Sequence, residues 1–127
     1  MATVAAFGRG DLPNSANLST AQTGNGASTN IADTGRSTGP TLLKLTTTVG
    51  ATPTVTVAIE GSPDGVNWFA IPYADSATPT TVTVATFVVT TATTNWKLLE
   101  ANRPWRYVRL TYSANTNVTS TADVTVF

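Results

Sequence analysis

The chain has 127 residues with seven basic side chains balanced by seven acidic ones, and charged residues make up only 11% of it. Such a composition offers no basic field for a phosphate backbone or an anionic membrane, and the length suits one domain with one core. Cysteine and histidine are absent. That excludes disulfides, thiolate metal sites, the usual zinc ligand and the commonest general base, so neither a cofactor nor a metal is expected.

Apolar residues reach 41%, yet no apolar run approaches the roughly 20 residues of a membrane helix. The opening Met1–Phe7 has no positive region and too short an apolar run before Gly8 to act as a secretory signal, so synthesis in a cytoplasm is expected. Residues 14–41 are dominated by Ser, Thr, Asn, Ala and Gly, with Leu18 and Ile31 as the large apolar exceptions. The stretch offers too little apolar surface to offset its own ordering entropy. Residues 1–40 are therefore read as an extended arm, with one short strand near Ser28–Asp33. Its anchors would be Val4, Phe7, Leu12, Leu18 and Ile31, reaching onto a neighbouring subunit and contributing to assembly more than to stability.

Residues 41–127 read as strands. Leu43, Leu45, Thr47 and Val49 alternate onto one face, and Val55, Val57 and Ile59 do the same against Thr54, Thr56, Ala58 and Glu60. Ser62-Pro63-Asp64-Gly65 then predicts a structural turn, with Pro63 setting a central turn angle and Gly65 taking a positive φ. Further strands are expected over Val66–Tyr73, Thr80–Thr90, Asn95–Leu99, Trp105–Tyr112 and Ala122–Phe127. Turn-rich spacers separate them at 74–79, 100–104 and 113–120. About seven short strands, with no convincing helix, predict an all-β domain: a single antiparallel β-sandwich, jelly-roll or related Greek key, with an extended N-terminal arm.

The carboxylates Glu60, Asp64, Asp75, Glu100 and Asp123 are scattered. Asp64 fits a turn and Glu60 an outward strand face, so no catalytic residue is assigned and no enzyme is expected. Arg103, Trp105, Tyr107 and Arg109 form the other concentration of chemistry. On a strand, Trp105, Tyr107 and Arg109 share one face, and these residue types are enriched at protein interfaces.

The segment Glu60-Gly61-Ser62-Pro63-Asp64-Gly65-Val66-Asn67-Trp68, followed by Arg103-Pro104-Trp105-Arg106-Tyr107-Val108-Arg109-Leu110, resembles framework segments of discoidin-like β-sandwich modules, which implies that the hairpin sets strand register and Trp68 packs beneath it. In style the whole chain is similar to small tailed-bacteriophage virion proteins of the capsid decoration (cement) or head-fibre type. The likeness lies in its Thr/Ala/Val/Asn richness, its small cysteine-free all-β body and its Gly/Ser/Asn-rich arm. That resemblance implies a structural protein on the virion's capsid surface, made in the host bacterial cytoplasm. It implies partners in the major capsid protein and in copies of the chain itself, typically as a homotrimer, with no nucleic acid and no membrane. The alternative is a carbohydrate-binding fibre or tail module for host attachment, in which Trp68, Trp96 or Trp105 would face solvent for sugar stacking.

Overall fold

A computed structural model describes residues 3–5, 14–34, 40–99 and 105–127. They form β1 (Thr3–Ala5), β2 (Asn14–Gln22), β3 (Gly26–Ala27), β4 (Asn30–Asp33), β5 (Thr41–Ser62), β6 (Phe69–Ala70), β7 (Tyr73–Asp75), β8 (Val82–Thr83), β9 (Phe87–Val89), β10 (Thr93–Leu99) and β11 (Tyr107–Val126). No helix occurs among the described residues. All pairings are antiparallel except that of β1 with β4.

Two strands organise the rest. The 22-residue β5 and the 20-residue β11 pair from Tyr107 opposite Ser62 to Val126 opposite Thr41. The register shifts midway, between Ser113 and Val118, where β5 carries the extra residues Gly50–Pro53. Thr52, Ala114 and Asn117 adopt positive φ there, a conformation uncommon outside glycine. Side chains hold the bend in place. Asn115 accepts from the Val118 amide at 3.1 Å and donates to its carbonyl at 3.0 Å, while Asn117 donates to the Ala51 carbonyl at 2.7 Å.

The ribbon thus has two halves. β10 flanks the Thr41–Thr47 end of β5 and carries β7 and β8 beyond it, and β2 flanks the Ser120–Val126 end of β11. β6 and β9 flank the other end of β5, with β3 and β4 on the other end of β11. The described strands therefore belong to one hydrogen-bonded sheet, and the two sheets of a sandwich do not appear as separate bodies. The two halves nevertheless share one core, because Leu43, Leu45, Val118, Ala122 and Val124 cluster with Val55, Val57, Ile59, Val108, Leu110 and Tyr112.

The segments expected as separate strands are continuous. Leu43–Val49 and Thr54–Glu60 are one strand, as are 107–112 and 122–126, because the spacers at 50–53 and 113–120 bend the ladder without ending it. Conversely, the strand expected over Val66–Tyr73 shrinks to β6 and β7, since the amides of Val66 and Asn67 are taken by Asp64. Thr80–Thr90 likewise divides into β8 and β9, each paired to a different half.

The N-terminal segment departs furthest from expectation. Residues 14–34 do not extend away from the body, and β2, β3 and β4 pair with β11 of the same chain. Leu18, expected as an anchor on a neighbouring subunit, is fully buried in this chain's own core with Ala32. The neighbouring Ser19 hydroxyl shares a 2.8 Å hydrogen bond with the Tyr112 phenol, whose pKa burial pushes up to about 12. Ser28 and Leu110 exchange hydrogen bonds at 2.7 and 3.2 Å, securing the same segment to the other half of β11. A segment too polar to form a core by itself can complete one, because β11 supplies both the hydrogen-bond partners and the apolar floor. Leu18→Ala should therefore cost about 2–4 kcal/mol, read by urea unfolding, as removing a fully buried leucine does elsewhere. An arm used only for assembly would leave the midpoint unchanged.

Candidate interaction surface

The end of the molecule where β5 meets β6 holds most of the residues singled out in the sequence. Ser62 is fully buried, and its hydroxyl accepts from the amides of Asp64 (3.2 Å) and Gly65 (2.8 Å) while donating to Asp64 Oδ1 (2.9 Å). The same Oδ1 accepts from the amides of Val66 (2.8 Å) and Asn67 (2.9 Å), and Oδ2 accepts from Asn67 Nδ2 (2.7 Å). Two side chains thereby tie four successive backbone amides into a rigid loop. Gly65 sits at φ +80°, and an added Cβ would meet the Tyr107 ring only at 3.6 Å, so the need for glycine there is conformational and not steric. Pro63 is exposed at the start of the loop.

Gly61 is different. A Cβ there would fall 2.8 Å from Trp105 Cβ and from Ile71 Cγ2, so only glycine lets Trp105 lie against the strand. Trp105 packs on the core, its ring 5.5 Å from that of Phe69. On the opposite face of the ladder, Arg109 stacks over Trp68 at 4.2 Å, and its Nε donates to Glu60 Oε1 at 2.9 Å. The Thr111 hydroxyl donates to the same Glu60 oxygen. Arg106 grips Asp33 through two hydrogen bonds of 3.1 Å and lies 5.2 Å over the Tyr107 ring. Around this framework Val66 is 77% and Phe69 50% exposed.

The structure thus gathers Trp105, Tyr107, Arg109, Trp68 and the Ser62–Gly65 turn at one end, but not on one face as expected, because Trp105 packs on the core side while Arg109 lies on the outer one; Leu18 is in the core, and Ile31 is half-buried on β4 next to Ala32, which pairs with Val108. Val4 lies on β1, and Phe7, Leu12 and Arg103 fall outside the described residues. Glu60, Val66 and Phe69 were not anticipated as members of the surface. Glu60 was legible only as an outward strand residue, and Phe69 only as part of a strand. Each of the three indoles has a neighbour on its ring: Arg109 over Trp68, Phe69 beside Trp105, and Lys44 5.3 Å over Trp96. Trp96 is the most exposed of them at 39%. Among the described residues, no group of three Asp or Glu side chains comes together to hold a metal ion.

No family model and no curated protein matches this sequence. Among solved structures, the fold is similar to that of the SPBc2 prophage-derived protein YomS, with a TM-score of 0.64 and 11% identity. The match covers 89% of this chain and 91% of that one.

The loop's hydrogen bonds set its acid sensitivity. The amides of Asn67 and Val66 hold the Asp64 carboxyl far below its ordinary value of 3.8. A carboxylate depressed in the folded state contributes order that is complete above the unfolded pKa and lost as pH falls through the folded one. The Val66 and Asn67 amide resonances should therefore keep their native shifts at pH 3, where ordinary carboxylates are mostly protonated, and move only in stronger acid. Asp64→Ala should shift them at neutral pH, and Gly65→Val should cost about 1 kcal/mol or more from strain at positive φ. A titration of the Asp64 side chain centred near pH 4 contradicts this account of the loop.

Proposed function

We propose that this chain is a structural protein of a tailed-bacteriophage virion, a decoration (cement) protein that binds the major capsid protein and stabilises the shell. In this reading the bent sheet closes as a β-sandwich module, copies associate as a homo-oligomer such as a trimer, and the protein does no catalysis of its own. The observation that carries the proposal is the likeness, over about nine-tenths of both chains, to a prophage-derived protein. A sequence without cysteine or histidine is in keeping with it.

Attachment is assigned to the end bearing Val66, Trp68, Phe69, Tyr107 and Arg109. Apolar side chains held out by a hydrogen-bonded loop lose little freedom on binding, which favours contact with a second surface. A guanidinium stacked on an indole and oriented by a carboxylate is likewise preorganised, and Arg, Trp and Tyr dominate measured interface energetics. The carbohydrate-binding alternative rests on Trp96, whose exposure exceeds that of the other tryptophans.

Particle reconstruction, rebinding and glycan binding separate these readings. Purified particles of the source phage should contain the chain in many copies, and a reconstruction should place them on the shell with the Val66 loop at the contact. Trp68→Ala combined with Arg109→Ala should lower rebinding to depleted particles by about tenfold or more, a loss of about 1.4 kcal/mol, without changing the fold. Full rebinding by that variant removes this surface from the interface. Loss of glycan binding on Trp96→Ala, with shell occupancy intact, would move the protein to the carbohydrate-binding class.

A further inference from the structure

Asn25 closes the turn between β2 and β3, and Gly26 opens β3. Asn25 is the only asparagine of the chain that is followed by glycine. The pair has a chemistry of its own. When the Gly26 amide nitrogen loses its proton it can attack the Asn25 side-chain carbon Cγ, because glycine carries no Cβ to obstruct the approach. The new N–C bond closes a cyclic succinimide, and ammonia leaves from Cγ. Water then opens the ring at either carbonyl. Addition at Cγ restores the ordinary backbone with an aspartate side chain. Addition at the main-chain carbonyl leaves isoaspartate, in which the chain runs through Cβ and Cγ.

The structure leaves room for these steps and holds them in check. Both residues are exposed, and a Cβ built at Gly24 or Gly26 would meet nothing within 4 Å beyond its chain neighbours. The Asn25 side chain therefore has open space on either side. Its Oδ1 accepts from the Asn115 amide at 2.9 Å, which draws electrons from Cγ and favours attack there. The nucleophile is what the fold withholds. The Ser28 amide donates to the Leu110 carbonyl at 2.7 Å, and in the alternating pattern of an antiparallel ladder the next bonded pair in this register is Gly26 with Tyr112. Yet β3 has only two residues, and a pairing that short opens locally far more often than the whole molecule unfolds.

We infer that Asn25 is a self-modification site of this chain, converting to aspartate and isoaspartate at a rate set by the opening of β3. The two products differ in what they do to the fold. Aspartate keeps an oxygen where the Asn115 amide is bound, and a charged acceptor strengthens that hydrogen bond. Isoaspartate adds a methylene to the main chain between Gly24 and Gly26, so β3 cannot keep both its register on β11 and the contact with Asn115. Asn115 in turn donates to the Thr23 carbonyl at 3.0 Å and holds both backbone groups of Val118. The change therefore reaches the bend of β5 and β11. It depends neither on the attachment surface assigned above nor on any partner.

The full chain, aged in neutral buffer and then digested, should show acid in place of amide at Asn25 before any other asparagine. Labelling by an isoaspartyl methyltransferase should identify part of the product as isoaspartate. Conversion should be slower than in the same chain held unfolded in urea, by the factor that deuterium exchange of the Gly26 amide gives for its opening. Ser28→Ala removes the hydroxyl that accepts from the Leu110 amide at 3.2 Å. It should speed both conversion and Gly26 exchange by about tenfold, the effect of roughly one lost hydrogen bond. Should that variant not fold, the two wild-type rates still test the inference. The isoaspartate fraction, separated by chromatography, should melt below the wild type, whereas Asn25→Asp should melt with it. An Asn25 that stays an amide in the folded chain for longer than the urea rate and the Gly26 exchange together allow overturns the inference. So does conversion as fast as in urea, which removes the ladder's control.

Discussion

The pairing of β5 with β11, carried through one shift of register, is the constraint on which the fold depends. One ladder runs the length of both strands, so a single bend decides how two halves of a sheet meet. The bend uses polar residues, Asn115 and Asn117, to hold backbone that the interrupted ladder leaves without strand partners. Once it is made, the alternating apolar residues of both halves enter one core, and the remaining strands fill edges: β2, β3 and β4 along β11, and β6, β9 and β10 along β5. The N-terminal segment owes its order to this arrangement. It brings few apolar side chains, and the long edge of β11 supplies a hydrogen-bonding template that makes those few sufficient.

The same ladder supports the candidate surface. Glu60 and Arg109 are direct partners in register, so their ion pair closes across adjacent strands without extending either side chain far into solvent. At an exposed site such a pair would contribute about 0–1 kcal/mol. Here both side chains are only about a quarter exposed, Arg109 also lies on Trp68, and Thr111 donates to the same carboxylate. The consequence is orientation more than stability: the indole and guanidinium are held before any partner arrives. A related device appears on the inner side, where Lys97 is buried with its Nζ 2.9 Å from Asp75 Oδ2 and 4.6 Å over the Phe87 ring. Its hydrogen bond holds the Asp75 carboxyl below the ordinary range and fastens β10 to β7.

Much of this was legible from alternation alone. Leu43, Leu45, Val55, Val57 and Ile59 announced a pleated face, and they are the core. The Ser62–Gly65 turn was legible because Pro, Asp and Gly act through local geometry, and its hydrogen bonds close within six residues. Long-range facts were not. Gly50–Pro53 and Ser113–Ser120 carry the residues of turns, and no local signal distinguishes a turn that ends a strand from a bend that two paired strands share. Leu18 gave no sign of its burial because the surface it fills belongs to residues some ninety positions away. The association of Trp68 with Arg109 also depended on register between distant strands.

The segment 82–89 was legible in its alternation and not in its orientation. Val82, Val84, Thr86 and Val88 read as the apolar side of a strand, and on hydrophobicity alone that side belongs inside. Two local anchors decide otherwise. Phe87 packs against Tyr73 with ring centroids 5.8 Å apart, and Val89 lies opposite Val55 in the core, so on β9 the pleat sends Val88 outward. Tyr73 completes the commitment by donating its hydroxyl to the Ala85 carbonyl at 2.7 Å. Val82, Val84 and Val88 are left exposed. Where a local pattern and tertiary contacts disagree in this way the contacts decide, because the other register would take Phe87 and Val89 out of the core.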